Sequence, residues 1–341
     1  VDGVVSFGAD RSPPAMIQHT LGMERLRTAA LAWHPGGGGV CGALDIAANA
    51  VRSGQAETVA LFRSLCQTED DRYGRHKPDR PFVNFNAPFG VFAPATHAAL
   101  LLRRHMHLYG TSPASLGRIA VQTRANAARN PRALMGRVPM DMDAYFASRL
   151  ISDPLRLLDC CLETDGACAV LVTTQERAAD CAKASVAILA TAVGSERWWG
   201  AGAFGGHNMP DDLYATGNAA TVAKDLFARA GLQPRDVDVA QIYDAFTAMV
   251  LFALEDYGFC ERGAGGAFID SGATAWPDGS VPVNTSGGNL SEAYIHGLNL
   301  VVEAVRQVRG ESAAQVNGAQ VSFVCGATIE GPTSAALLGA A

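Results

Sequence analysis

Lysine is scarce. Of 27 basic residues only Lys77, Lys183 and Lys224 are lysines, set against 33 acidic residues for a formal net charge of -6. This balance argues against a general nucleic-acid binder, which needs a concentrated basic footprint to replace phosphate counterions. Arginines such as Arg103, Arg104 and Arg132 remain available for a local anion. No apolar run approaches the ~18 residues of a membrane-spanning helix, and the opening VDGVVSFG lacks the pattern of a signal peptide. The eight histidines do not fall at metal-ligand spacing. Neither glycine cluster carries the G-x-G-x-x-G or G-x-x-x-x-G-K pattern of a phosphate loop. Most of the eight cysteines lie in apolar runs, so they read as buried thiols of a reducing cytoplasm and not as a disulfide framework.

What is present is a globular chain of 341 residues, 48% hydrophobic and with 36 glycines, large enough for two domains or one large double one. Val4–Phe7 reads as a buried strand, and the glycines at 36–39 precede an alanine-rich helix over Ala43–Val51 and a strand at Thr58–Phe62. From Glu69 to Pro94 the chain turns charged, proline-bearing and aromatic, with Tyr73, Phe82, Phe85 and Phe89. A loop of that length serves as a lid, binding surface or partner contact. Helical stretches are expected over Ala95–Tyr109, Ser115–Ala128 and Asp141–Ala147, then a strand over Ala167–Thr173. A second phase begins near Ser185 with a strand over Val186–Val193, a helix over Ala219–Ala230, a strand over Val237–Ile242, helices over Phe246–Tyr257 and Ile295–Val308, and a strand over Ala319–Cys325.

The later order repeats the earlier one. VDGVVSF corresponds to VDVAQIYDAF, the turn at 36–39 to Gly287 and Gly288, the Ala43–Arg52 helix to Leu298–Arg309, and Thr58–Phe62 to Val321–Cys325. Two copies of one β-α unit predict two similar halves, with helices covering mixed sheets.

Four ordered segments, AVRSGQAETVAL, LLDCCLETDGACAVLVTT, GLQPRDVDVAQIYDAFT and VNTSGGNLSEAYIHG, resemble the thiolase superfamily over nearly the whole chain. The resemblance implies an α/β thiolase fold of two βαβαβαββ halves in five α/β/α/β/α layers, residues 1–183 carrying the first half with an inserted loop region and 184–341 the second. It also implies that the fold's first strand and helix are absent from this sequence.

The departures from the family are chemical. Counting seventeen residues back from Gly54 puts Gly37 where a thiolase holds its nucleophilic cysteine; Cys41 stands one helical turn farther on. Ten residues beyond Asn284, where the family has its activating histidine, stands Tyr294. In YDAF, Tyr243 replaces an asparagine or histidine that helps hold an oxyanion, and the family's Cys-x-Gly element is altered to Cys325, Gly326, Ala327. This combination resembles the thiolase-like steroid side-chain-cleaving aldolases, also called lipid-transfer proteins. The implied reaction is retro-aldol cleavage of a bulky β-hydroxyacyl-CoA to a ketone and a short acyl-CoA such as propionyl-CoA.

Such a cleavage needs a base, an acid and a group that carries the enolate charge. None of the three lysines lies in a family motif, so a Schiff base is not expected, and the thioester carries the charge itself. Tyr243 and Tyr294 are therefore the expected proton-transfer groups, their order open. A phenol of ordinary pKa ~10 acts as a base only where its surroundings favour phenolate. His296 is expected to orient or polarise a phenol, donate to the thioester oxygen, or serve the backbone. Substrate contacts are expected from Gly37, His207, Asn284, Gly287, Gly288 and Cys325, with Asp244 fixing the local turn.

No covalently bound cofactor is expected; CoA enters as part of the substrate. The resemblance implies a homodimer core flanked by OB-fold, zinc-ribbon partner chains in a heterotetramer, with zinc only in the partner. Two rival readings stand beside this one: a thiolase-type acyltransferase using a displaced cysteine (Cys41 or Cys325), and a non-catalytic acyl-CoA or sterol-binding subunit.

Overall fold

The computed structural model describes residues 1–8, 10, 12–33, 36–67, 86–91, 93–197, 210–327 and 332–341. Its first sheet has the order β2-β1-β3-β6, from β1 (Gly3–Phe7), β2 (Thr28–Ala32), β3 (Thr58–Leu65) and β6 (Gly166–Thr173). β1 pairs in parallel with both β2 and β3, and β6 runs antiparallel to β3. The second sheet has the order β7-β10-β9-β8, from β7 (Val186–Gly194), β8 (Val239–Ile242), β9 (Val321–Gly326) and β10 (Thr333–Ala340). Here β8 and β9 are parallel, β10 is antiparallel to β9, and a bridge from Ala240 to Val283 adds an edge to β8. The sequence Val283-β8-β9-β10 in the second sheet thus repeats β2-β1-β3-β6 in the first. A small hairpin, β4 (Leu150–Ser152) with β5 (Leu155–Arg156), lies in the inserted region.

Of the helices, α1 (Pro14–Thr20) is peripheral and α2 (Val40–Arg52) is central. α2 packs against both sheets and buries Val40, Cys41, Gly42, Ala43, Leu44, Ala47, Ala48, Ala50 and Val51. A helix between two sheets needs apolar surface on both sides, and small side chains let both sheets approach closely. Leu44 is its largest buried aliphatic residue, so Leu44→Ala would leave a cavity costing about 2–5 kcal/mol.

The inserted region supplies α3 (Pro94–Tyr109), α4 (Pro113–Ala127) and α5 (Met142–Ala147), and α6 (Gln175–Ala179) follows β6. Pro94 and Pro113 sit in the first turns of their helices, where no intrahelical N–H is needed. In the second half come α7 (Ala220–Ala230), α8 (Thr247–Asp256), α9 (Gly265–Asp270) and α10 (Leu298–Arg309). α10 shares the middle layer with α2, and α7 covers the outer face of the second sheet along β7 and β10.

The elements expected from the sequence form with shifts of a few residues at their ends. β2, β4, β5, β10, α1 and α9 were not foreseen. TAALA in β2 and TSAALLGA in β10 are alanine-rich and carry little β preference; pairing with β1, and with β7 and β9, imposes the strand. The glycine run expected at 200–206 and most of the loop from Glu69 to Pro94 lie outside the described residues.

Candidate active site

Two glycine-led turns, each opening a middle-layer helix, enclose the phenols. The first is the 3-10 turn Gly36–Gly39, whose last three residues are buried. Tyr243 follows the end of β8, and its N–H donates to the Cys325 carbonyl of β9 at 3.2 Å. This fixes the residue at the end of the sheet and directs its ring beneath Gly37. A Cβ built on Gly37 would overlap the Tyr243 ring, and one on Gly297 would come within 3.0 Å of it. The aromatic ring occupies the space that any side chain at position 37 would need.

The second turn is the loop from Asn284 to Gly297, which leads into α10. Asn284, at φ 51°, accepts from Ile242 N–H at 2.8 Å and donates to the Ile242 carbonyl at 2.9 Å, clamping the loop to the end of β8. Asp244 accepts from the N–H groups of Asn289 at 2.7 Å and Leu290 at 3.3 Å, at the start of the π-helical turn Gly288–Glu292. Complete burial pushes the Asp244 carboxyl up to about 7 against the pull of those backbone donors. Arg124 of α4 donates to Ser291 Oγ at 2.8 Å, and Asn130 donates to Glu292 at 3.0 Å. The Thr164 hydroxyl then accepts from Tyr294 N–H and donates to the Tyr294 carbonyl, both at 3.0 Å. Held this way, the Tyr294 hydroxyl lies 2.8 Å from that of Tyr243, with both side chains buried.

His296, at φ 50°, packs edge-on against Tyr294 with ring centroids 5.1 Å apart. Its Nδ1 lies 3.1 Å from Arg63 Nε and 2.9 Å from the terminal Nη2 of the same guanidinium. Arg63 is buried on β3 and makes an ion pair with Asp10 at 3.2 Å. Burial, then the Arg63 charge, hold His296 down to about 3, partly opposed by Asp10.

The structure brings Gly37, Tyr243, Tyr294 and His296 into one cluster, with Asn284 bracing it from below. Gly287 and Gly288, expected beside a thioester, are packed against protein on the side where a Cβ would point. A Cβ on Gly287 would run into Ala127 of α4, and one on Gly288 into the Asp244 carboxylate, so protein atoms fill the space these glycines leave. Gly288 adopts φ 55° there, a conformation that other residues seldom tolerate. Cys325, expected as a substrate contact, is a fully buried β9 thiol that burial pushes up to about 12. Cys41 is equally buried, and burial, with Cys325 beside it, raises its thiol far above the usual range. His207 lies outside the described residues. Among the described residues no three His, Cys, Asp or Glu side chains gather as a metal site requires, and no helix is long and apolar enough to cross a membrane.

Sequence reasoning missed Arg63, Asp10 and Thr164. Arg63 had one signal: a cation within the apolar run TVALFRSL on a strand that is otherwise core.

Comparison with known proteins accords with this geometry. Residues 206–338 match the family model described as "Thiolase C-terminal domain-like". The chain is 37% identical over 357 aligned positions to the 17-hydroxy-3-oxo-4-pregnene-20-carboxyl-CoA lyase of Mycobacterium tuberculosis, covering 99% of this chain and 88% of that protein. It is likewise 37% identical over 352 positions to the steroid side-chain-cleaving aldolase of Thermomonospora curvata, covering 100% of this chain and 88% of the relative. The solved structure titled "Ltp2-ChsH2(DUF35) aldolase" superposes with a TM-score of 0.91 at 38% identity, over 100% of this chain and 87% of the other. The chain belongs to the thiolase superfamily, within its group of steroid side-chain-cleaving aldolases.

Proposed function

We propose that the protein is a carbon-carbon lyase that cleaves a bulky steroid β-hydroxyacyl-CoA by a retro-aldol reaction. The observation that carries this reading is the 2.8 Å contact between the Tyr243 and Tyr294 hydroxyls, with the Tyr243 ring seated where a side chain on residue 37 would be. In a compound of the kind named for the mycobacterial relative, the hydroxyl at carbon 17 is β to the thioester carbonyl carried on carbon 20. Breaking the bond between those two carbons gives a 17-ketone and a propionyl thioester.

One tyrosine, as phenolate, takes the proton of the β-hydroxyl. The electron pair of the breaking carbon-carbon bond moves into the thioester as an enolate while the alkoxide carbon becomes a ketone. The phenol of the other tyrosine gives its proton to the α-carbon. A proton then crosses the short oxygen-oxygen contact and restores the starting pair, so no external acid or base is consumed. A phenolate that accepts a hydrogen bond from the second phenol is favoured over an isolated one. General acid-base catalysis of this kind contributes about 10²–10⁴ in rate.

The acyltransferase alternative needs an accessible thiolate, whereas Cys41 and Cys325 are fully buried and their thiols are displaced towards the neutral form. We also propose a homodimer core flanked by OB-fold, zinc-ribbon partner chains that hold the complex's zinc. A complex titled with a partner of its own supports that assembly.

The test is incubation of the protein, co-purified with its partner, with a tertiary β-hydroxyacyl-CoA of steroid size. Release of ketone and short acyl-CoA in equal amounts is expected. Absence of both products from a range of such thioesters, or turnover unchanged when both Tyr243 and Tyr294 are phenylalanine, would overturn the reading.

A further inference from the structure

The hydrogen bonds around His296 settle which of its nitrogens carries the proton. A guanidinium has five N–H donors and no acceptor, and it stays protonated. Because Arg63 Nε and Nη2 both lie within 3.1 Å of Nδ1, that nitrogen must be the acceptor, and the neutral ring bears its hydrogen on Nε2. Arg63 is itself held. Its Nη1 meets Asp10 Oδ2 at 3.2 Å, and Asp10 in turn accepts from the Ser12 and Ser64 backbone N–H groups at 2.9 and 3.1 Å and from the Ser6 hydroxyl at 3.1 Å. The Arg63 and Asp10 side chains are 3% and 2% exposed, so the guanidinium has no solvated position to which it could swing without abandoning its counter-ion.

We infer that Arg63, anchored by Asp10, is a positioning residue that locks His296 as a neutral Nε2–H hydrogen-bond donor beside Tyr294, able to stabilise negative charge in the site but unable to carry a proton. The inference rests on the aldolase reading only for the identity of that charge, a phenolate or a thioester enolate.

The arrangement has a chemical purpose. An imidazolium packed against Tyr294 would be a stronger acid than either phenol and would quench the phenolate on which the cleavage depends. Holding the imidazole neutral leaves the proton shared by the two tyrosine oxygens as the one that moves. The guanidinium charge, acting through the ring, strengthens the Nε2–H as a donor. Arg63 from β3 and Asp10 from the segment after β1 are charged groups that bear on His296, and Tyr294 faces it from its own loop. The two charges nearly cancel at long range, but the cation is the one in contact.

The experiment labels histidine with ¹⁵N in the full chain with its partner and reads long-range ¹H–¹⁵N correlations between about pH 5 and 8, His296 being assigned by loss of its signal in His296→Gln. The expected result is an unprotonated Nδ1, a protonated Nε2 and no titration in that window. An Nδ1–H tautomer, or titration near the ordinary histidine value of ~6.5, would overturn the inference. In Arg63→Met the ring is expected to titrate in the window. The kcat profile should gain an acidic limb that the parent lacks, with kcat lowered about tenfold or more and KM changed less. Arg63→Lys should recover part of kcat and remove the new limb; a parent-like profile in Arg63→Met would count against the role. Should Arg63→Met not fold, the parent spectrum decides the matter, with Asp10→Asn as the second variant, expected to raise the fraction of mobile or titrating His296. The tautomer is read without substrate, so a failure of the aldolase assay leaves this result standing, and the reverse also holds.

Discussion

The two turns that open the middle-layer helices, Gly36–Gly39 before α2 and Asn284–Gly297 before α10, occupy corresponding places in the two halves yet do opposite work. The first contributes no side chain. Its value is the space at Gly37 that admits the ring of Tyr243. The second carries many polar groups tied to neighbours: Asn284 to Ile242, the Asn289 and Leu290 N–H groups to Asp244, Ser291 to Arg124, Glu292 to Ser286 and Asn130, and Tyr294 to Thr164. A phenol is a long lever, and a misplacement of its tip breaks the 2.8 Å contact between the two hydroxyls. One turn therefore stays empty so that the chain around the other can place two hydroxyls with little freedom.

That contrast can be broken most sharply at the phenols. Tyr294→Phe or Tyr243→Phe should each lower kcat by about 10²–10⁴ while far-ultraviolet circular dichroism stays unchanged, and the double variant should be little worse than the poorer single one, because the pair works as a unit. Filling the empty turn comes next. Gly37→Ala forces the Tyr243 ring aside, so kcat should fall at least tenfold, and overpacking should cost about 1–3 kcal/mol in denaturant unfolding. Gly37→Cys should give no acyltransferase activity, since the thiol and the ring compete for one volume; appearance of thiolytic turnover would show that the two chemistries can coexist.

A smaller effect is expected at Thr164. Thr164→Val strips both bonds from the Tyr294 backbone and leaves a buried N–H without its acceptor, costing about 1–3 kcal/mol. Thr164→Ser should retain near-parent kcat, which separates hydroxyl function from shape. The mildest test uses pH. The carboxyls of Asp244 and Asp256 are raised by burial to about 7 and about 6. A raised acid contributes its stability fully below its unfolded value of ~4 and loses it as pH climbs through the folded value. Unfolding free energy from these groups should therefore decline between about pH 4 and 7. Asp244→Asn should flatten part of that decline in denaturant titrations, even though it weakens the acceptor for the loop N–H groups.

Much of this was legible before any coordinates. The internal repeat and the helix and strand order follow from spacing and local pattern, whereas Gly37, Tyr243 and Tyr294 stand out only against the motifs of the family that the chain resembles. The resemblance to a known family turned those places into chemistry. Two alanine-rich strands escaped notice because their conformation is imposed by neighbouring strands and not by their own side chains. Gly287 and Gly288 were visible as a turn, but nothing local could say that Ala127 and Asp244 fill the space around them. Thr164 and Arg63 escaped for the same reason: each acts on a residue far along the chain.

The amino-acid order by itself determined the element order and the internal repeat and, read beside the family it resembles, which residues stand at positions 37, 243 and 294, since these depend only on residue identity and on counting along the chain. Tertiary structure alone decided that two phenols 51 residues apart meet at 2.8 Å, and that an arginine 233 residues from His296 donates to its Nδ1. Hydrogen bonds act over about 3 Å, and only folding converts such separations along the chain into such distances.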